Sequence, residues 1–246
     1  MKAVVLCAGY GTRLGDLTRE TPKPLLPLQG RPLLEYTLAH LHRHGVRQVG
    51  INLHFEAAQV RRTLGDGARF GLEIEYRHEP TLLGTAGGVR GFADWLGEAE
   101  PFFVLYGDIL TDQDLGALGR AHRQYGAAAT LLLHQRAGSN SLVRREADGS
   151  ITGFVERPTE EERRASPFPW VNSGIHVLEP AVLRSIPPGQ PHDFPRHVFP
   201  GLVAAGGLFG HPLEGYRCAI DSPARYAEAE AAVVEGAYRS PFRSSR

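Results

Sequence analysis

Short apolar runs alternate with glycine-rich polar stretches along the first half of the chain. Ala3-Val4-Val5-Leu6 reads as a buried strand and breaks into Ala8-Gly9-Tyr10-Gly11-Thr12-Arg13-Leu14-Gly15. Beyond Gly30-Arg31-Pro32, apolar residues at Leu33, Leu34, Tyr36, Leu38 and Leu41 recur at helical spacing, and Gly45 ends the pattern as a C-cap would. The pattern then predicts a strand over 49–53, a helix over 56–64, a strand over 72–76 and a helix over 85–96. Residues 101–106 form a strongly apolar strand that stops at Gly107-Asp108. A helix over 112–125 and a strand over 127–133 follow.

This alternation predicts an α/β fold, Rossmann-like, with a mostly parallel mixed sheet and helices on both faces. In such sheets ligands bind beyond the carboxyl ends of the strands. The Gly9 loop and Asp108 both fall at such ends, which puts them on one rim. The second half is less regular. Strands over 142–145 and 151–156 flank an Asp148-Gly149 turn, a hairpin signal, and the charge run over 159–164 reads as a solvated helix or loop. A strand over 170–178, helices over 180–185 and 194–205, and strands over 208–213 and 216–220 complete the pattern. Asp221-Ser222-Pro223 opens a last helix ending near Tyr238, and 240–246 reads as a loose polar tail.

Composition narrows the class more than it names a function. At 246 residues the chain can bury a sizeable core, and its formal net charge of zero argues against a nucleic-acid or anionic-membrane partner. No apolar run approaches ~18 residues and no leader pattern precedes the first strand, so a cytoplasmic protein is expected. The two cysteines, Cys7 and Cys218, make neither a disulfide framework nor a zinc cluster and read as packing residues. The eleven histidines form no metal-ligand spacing: His40 and His44 share a helical face, but no carboxylate or thiol joins them.

The chemistry concentrates at the start. A glycine-rich loop leaving a strand lets backbone N–H groups converge on an anion, because without Cβ the chain can turn tightly and approach closely. Here the loop carries Arg13, and Pro22-Lys23-Pro24 follows it. Lysine stands only at positions 2 and 23, every other fixed cation being arginine. A compact ammonium reaches a crowded phosphate where a planar fork does not fit. A dinucleotide fingerprint fails, since Leu14 stands where its last glycine belongs, and no Gly-Lys-Ser/Thr makes a P-loop.

Leu6-x-Ala8-Gly9-x-Gly11-Thr12-Arg13-Leu14, then Pro22-Lys23-Pro24-Leu25 and Gly30-Arg31-Pro32-Leu33, resembles the signature of sugar-1-phosphate nucleotidylyltransferases. Leu83-Gly84-Thr85-Ala86-Gly87-Gly88, Tyr106-Gly107-Asp108, Phe154-Val155-Glu156-Arg157-Pro158, Val171-Asn172-Ser173-Gly174-Ile175 and the Asp221 segment follow in family order. The resemblance implies the nucleotide-diphospho-sugar transferase fold. It also implies a single domain with a nucleotide half over about 1–125 and a sugar half over about 126–238. The implied reaction joins a sugar 1-phosphate to an NTP with Mg²⁺ and releases pyrophosphate, and self-association is left open.

On this reading Ala8, Gly9, Gly11, Thr12 and Arg13 hold the phosphates, with Arg13 on the leaving pyrophosphate and Lys23 on the α-phosphate. Glu79, Gly84 and Thr85 bind the nucleotide, and a glutamate at 79, which only accepts hydrogen bonds, suits guanine. Glu156, Arg157 and Asn172 take the sugar phosphate, although Arg157 replaces the usual lysine and Asn140-Ser141 replaces Tyr-Gly. Asp108 and Asp221 hold the metal, the latter from Ile220-Asp221-Ser222 rather than Asp-Ile-Gly-Thr-Pro. The alternative for Asp221 is the N-cap of the last helix. GTP with mannose or heptose 1-phosphate is the first expectation. Uridylyl, thymidylyl or cytidylyl transfer, an alcohol phosphate such as choline phosphate, and a silent nucleotide-sugar sensor stand as alternatives.

Overall fold

A computed structural model describes residues 1–136, 139–166 and 170–242. In chain order the strands are β1 (Ala3–Leu6), β2 (Pro27–Leu28), β3 (Arg31–Pro32), β4 (Gln48–Leu53), β5 (Glu73–His78), β6 (Phe102–Tyr106), β7 (Ile109–Thr111), β8 (Ala129–Gln135), β9 (Ser141–Arg145), β10 (Ile151–Glu156), β11 (Trp170–Leu178), β12 (Leu208–Pro212) and β13 (Arg217–Ala219). The α-helices are α1 (Leu33–Arg43), α2 (Ala57–Leu64), α3 (Gly84–Arg90), α4 (Ala93–Leu96), α5 (Leu115–Tyr125), α6 (Glu160–Ala165), α7 (Phe199–Ala204) and α8 (Pro223–Glu235). They fall into two compact units, and the division does not follow the expected halves. The first unit takes Met1–Leu82, Leu105–Leu115 and Glu214–Arg246; the second takes Leu83–Val104 and Gly116–Leu213.

In the first unit β1, α1, β4, α2 and β5 make successive strand–helix–strand crossovers, with β1 parallel to β4 and β4 parallel to β5. The end of β6 lies on the other side of β1. Ala3, Val4, Val5, Val49 and Ile51 are fully buried, as a strand covered on both faces demands. A second core gathers Leu14, Leu28, Leu33, Tyr36, Leu110, Cys218, Ala232 and Tyr238. The C-terminal segment is therefore part of this unit's interior. Phe242 continues it, edge-on to Tyr36 at 5.2 Å with the Arg31 guanidinium 4.5 Å from its ring centre. The expected loose tail is buried at Ser240, Phe242 rests against Tyr36 and Arg31 while still 37% exposed, and residues 243–246 lie outside the described residues.

Asp112 does not cap a helix. The helix expected from residue 112 starts at Leu115, and Ile109–Thr111 is a strand that pairs antiparallel with β13. Asp112 is buried instead and accepts hydrogen bonds from the Tyr216 and Arg239 backbone N–H groups. Burial is the largest single influence and pushes its carboxyl up, but these bonds and the Arg239 guanidinium together outweigh it and hold the carboxyl below its usual range.

The second unit carries a mixed sheet. β10 pairs antiparallel with β9, β9 and β8 each pair antiparallel with β11, and β12 lies parallel to β8. The helix expected over 85–96 breaks at Gly91-Phe92 into α3 and α4. The charge run forms α6, capped by Thr159 and Glu162 in a reciprocal box. Among the described residues no helix is long and apolar enough to cross a membrane.

Candidate active site

The first unit gathers the phosphate-type residues at the ends of its strands. Where the β1–β4 ladder stops, the Asn52 side chain continues it: Oδ1 accepts the Cys7 N–H at 2.7 Å and the Ala8 N–H at 3.4 Å. Gly11 then turns the chain in the left-handed region at φ 66° and opens a 3₁₀ segment, Thr12–Thr18. A Cβ on Gly11 would stand 3.3 Å from Cβ of Lys23, so the loop passes directly over the lysine stem.

Two ion pairs organise this rim. Lys23 Nζ lies 2.5 Å from Asp108 Oδ2, and Arg13 lies 3.5 Å from Asp221. The aspartates are neighbours because β7 and β13 pair Ile109 with Ala219, and the Ile220 N–H donates to the Asp108 carbonyl. Gly107 lets the turn before Asp108 lie against the end of β1, since a Cβ there would meet the Cys7 sulfur at 2.5 Å and the Leu6 carbonyl oxygen at 2.8 Å. Burial, reinforced by Asp108, pushes the Cys7 thiol up, so it is no nucleophile at neutral pH.

Asp221 is not the cap of the last helix. Ser222 caps α8, accepting the Arg225 N–H at 3.3 Å, which leaves the Asp221 carboxylate for Arg13. Glu79 also departs from expectation. It is buried, and its Oε1 accepts from Asn52 Nδ2 at 2.7 Å. The carboxylate lies behind the loop, where it supports Asn52, and does not present itself as a base reader.

The second unit brings together Glu156, Ser141 and Asn172. Glu156 pairs with Ser141 across β10 and β9, and the Asn172 N–H donates to Ser141 Oγ at 2.9 Å. The Asn172 carbonyl oxygen accepts from the Gly174 N–H and from His176 Nε2, at 2.9 and 3.0 Å, so the carboxamide is fixed in one orientation. Arg157 takes φ 54°, a strained backbone for a non-glycine residue at the end of β10. Burial raises the Glu156 carboxyl, and Asp193 adds to this, while Arg157 and Arg196 oppose it.

Gly84 and Thr85 are held by a segment the sequence did not flag. The His192 carbonyl accepts the Ala86 and Gly87 N–H groups, and Asp193 accepts the Thr85 N–H at 3.1 Å. Gly84 has φ 70°, and a Cβ there would meet the His192 carbonyl oxygen at 2.6 Å. His192, Asp193 and Arg196 carried no motif; only proximity in the folded unit reveals them.

A glycine-rich loop at a strand end, two cations and two adjacent carboxylates thus gather on one rim of an α/β protein. The chain belongs to the nucleotidyl transferase family, whose profile matches residues 2–216. It is 35% identical over 224 residues to a UTP–glucose-1-phosphate uridylyltransferase of Synechocystis, covering 84% of this chain and 56% of the relative. It is 33% identical over 243 residues to a mannose-1-phosphate guanylyltransferase of Mycobacterium tuberculosis, covering 97% and 66%. The chain thus spans less than two thirds of the length of these two relatives. The fold matches a Bacillus anthracis protein described as a glucose-1-phosphate thymidylyltransferase, with TM-score 0.82, 20% identity and 94% of each chain covered. It also matches HddC of Yersinia pseudotuberculosis, solved with GMP-PN, with TM-score 0.78, 20% identity and 94% and 99% covered. The expected nucleotide-diphospho-sugar transferase fold is borne out.

Proposed function

We propose that this chain transfers a nucleotidyl group from an NTP to a sugar 1-phosphate, giving an NDP-sugar and pyrophosphate. The observation that carries the reading is the placement of Arg13 and Lys23 beside the amide-rich loop, each resting on a carboxylate. A sugar-phosphate oxygen forms a new bond to the α-phosphorus while the α–β P–O bond breaks and its electrons leave with pyrophosphate. The protein has little covalent work here and supplies position and charge. The Ala8 N–H, expected on the phosphates, is taken by Asn52, so the loop N–H groups from Gly9 to Arg13 hold phosphate oxygens, while Arg13 takes the leaving pyrophosphate and Lys23 neutralises charge at the α-phosphate. Glu156 and Asn172 accept and donate to sugar hydroxyls, and Arg157 pairs with the sugar phosphate.

The donor set suits Mg²⁺. Asp108 and Asp221 offer hard oxygens from neighbouring strand ends, and no group of three candidate metal ligands occurs among the described residues, so phosphates and water would complete the shell. A bound Mg²⁺ would supply charge neutralisation to the triphosphate. GTP with mannose 1-phosphate is the preferred pair. Its support is the guanylyltransferase relative that spans 97% of this chain, since the guanine argument from Glu79 falls with that residue's burial. The free thiols of Cys7 and Cys218 suit the reducing cytoplasm in which we place the protein.

The test is pyrophosphate release from GTP, UTP, dTTP and CTP, each with mannose, glucose or heptose 1-phosphate or with choline phosphate. Release is expected with GTP and mannose 1-phosphate. No release with any pair sinks the enzyme reading, and tight nucleotide-sugar binding without turnover would make the chain a sensor.

A further inference from the structure

The phosphate loop is held by two arms that meet at Glu79, one buried behind it and one at the surface, where Tyr10 is 52% exposed. In the first arm the Glu79 carboxylate accepts Asn52 Nδ2–H at 2.7 Å, and Asn52 Oδ1 accepts the Cys7 and Ala8 N–H groups. In the second, the Glu79 carbonyl faces His54 Nδ1 at 2.7 Å, and His54 Nε2 lies 2.8 Å from the Tyr10 hydroxyl. A carbonyl only accepts, so Nδ1 carries a proton towards Glu79 and Nε2 meets the Tyr10 hydroxyl. The His54 and Tyr10 rings also meet edge-on at 5.0 Å. Asn52 and Glu79 are both buried, at 2% and 3% exposure, although neither packs as an apolar residue would. Burying such groups is costly unless they are hydrogen-bonded, and here Asn52 links the Glu79 carboxylate to the loop.

The direction of the Asn52 amide follows from its neighbours. Its oxygen faces two backbone donors and its nitrogen faces a carboxylate, so the flipped amide would lose all three bonds. Asn52 thereby turns the Cys7 and Ala8 amides inward and leaves the next loop amides, from Gly9 on, to the phosphates. We propose that Glu79, Asn52 and His54 are positioning residues that fix the phosphate-loop conformation, with Glu79 the shared anchor of both arms. The inference rests on the nucleotidyl-transfer reading and assigns Glu79 to the phosphates' cradle in place of the base.

The polarity of the first arm gives a test by reversal. Asn52→Asp keeps the acceptor for Cys7 and Ala8 but sets a second carboxylate against Glu79. Glu79→Gln in the same chain restores a donor between them. Inorganic pyrophosphate with Mg²⁺, common to every NTP, is the calorimetric probe, and the KM values for NTP and sugar phosphate are measured alongside. Asn52→Asp is expected to weaken pyrophosphate binding and raise the NTP KM about 10–100-fold, with the sugar-phosphate KM unchanged. The double variant is expected to recover to within about threefold of wild type, the scatter expected of such contributions. His54→Ala, which leaves the buried pair intact, is expected to weaken pyrophosphate binding about threefold or more by freeing Tyr10.

Wild-type pyrophosphate binding in Asn52→Asp, or a folded double variant that does not recover, overturns the relay. If Asn52→Asp does not fold, unchanged binding in His54→Ala overturns it. A wild-type chain that binds pyrophosphate and turns over, with such variants, separates this failure from failure of the functional reading. A wild-type chain that neither binds pyrophosphate nor turns over overturns both.

Discussion

Lys23 and Asp108 form a 2.5 Å ion pair in which the side chains keep only 14% and 24% of their exposure. The partners come from a proline-framed 3₁₀ turn and from the turn between β6 and β7. The ammonium proposed for the α-phosphate thus rests on the carboxylate proposed for the metal. Each charge is kept compensated until a ligand of opposite sign replaces its partner.

Lys23→Ala should lower pyrophosphate release by about 10²–10³, the scale of losing a charge donor in a dry site. Its thermal midpoint should also fall, because Asp108 is left half-enclosed without a cation. Steady-state kinetics beside a melting curve separates the two effects. Activity within threefold of wild type, a span of under about 1 kcal/mol, would remove Lys23 from the reaction.

Asp221→Asn should weaken binding of Mn²⁺, a spectroscopically visible substitute for Mg²⁺, by about tenfold or more in the presence of pyrophosphate. Electron paramagnetic resonance of the free ion reads this directly. An unchanged affinity would leave Asp221 as the partner of Arg13 alone.

His176 is fully buried, and that burial pushes its pKa down to about 3. Its ordinary value is about 6.5, so between these values the unfolded chain binds a proton that the native chain does not. The stability contribution is complete above about pH 6.5 and declines as the pH falls toward 3. Denaturant unfolding should lose about 2 kcal/mol from this group between pH 7 and pH 5. His176→Gln should start less stable but show a flatter pH dependence over that interval. An equal slope in both chains would place the proton elsewhere.

Tyr238 lies beyond the stretch that matches the family profile, yet it is 1% exposed between Tyr36 and Tyr216, with ring centres 6.0 and 5.9 Å away. Its hydroxyl has no hydrogen-bond partner among the described residues. Tyr238→Phe should therefore be neutral or stabilising by up to about 1 kcal/mol, whereas Tyr238→Ala should cost about 3–5 kcal/mol. Chemical denaturation of both variants checks this. Equal costs would show that the hydroxyl, not the ring, holds the segment.

Neighbouring residues alone set the local elements and the residue types of the opening loop. The apolar run into a glycine loop, the lysine between prolines and the aspartate ending an apolar strand are all written in neighbouring residues, so their periods and spacings were readable. Tertiary structure decided the partners. It set Lys23 on Asp108, 85 residues apart, paired Asp221 with Arg13, and let Ser222 take the cap. It buried Glu79 behind the phosphate loop, where it had been expected to face the base, and it brought Asp193 to Thr85 without a motif. Strand register and burial are cooperative properties of distant segments; a side chain's type states what it can bond, and only packing selects which bond is made.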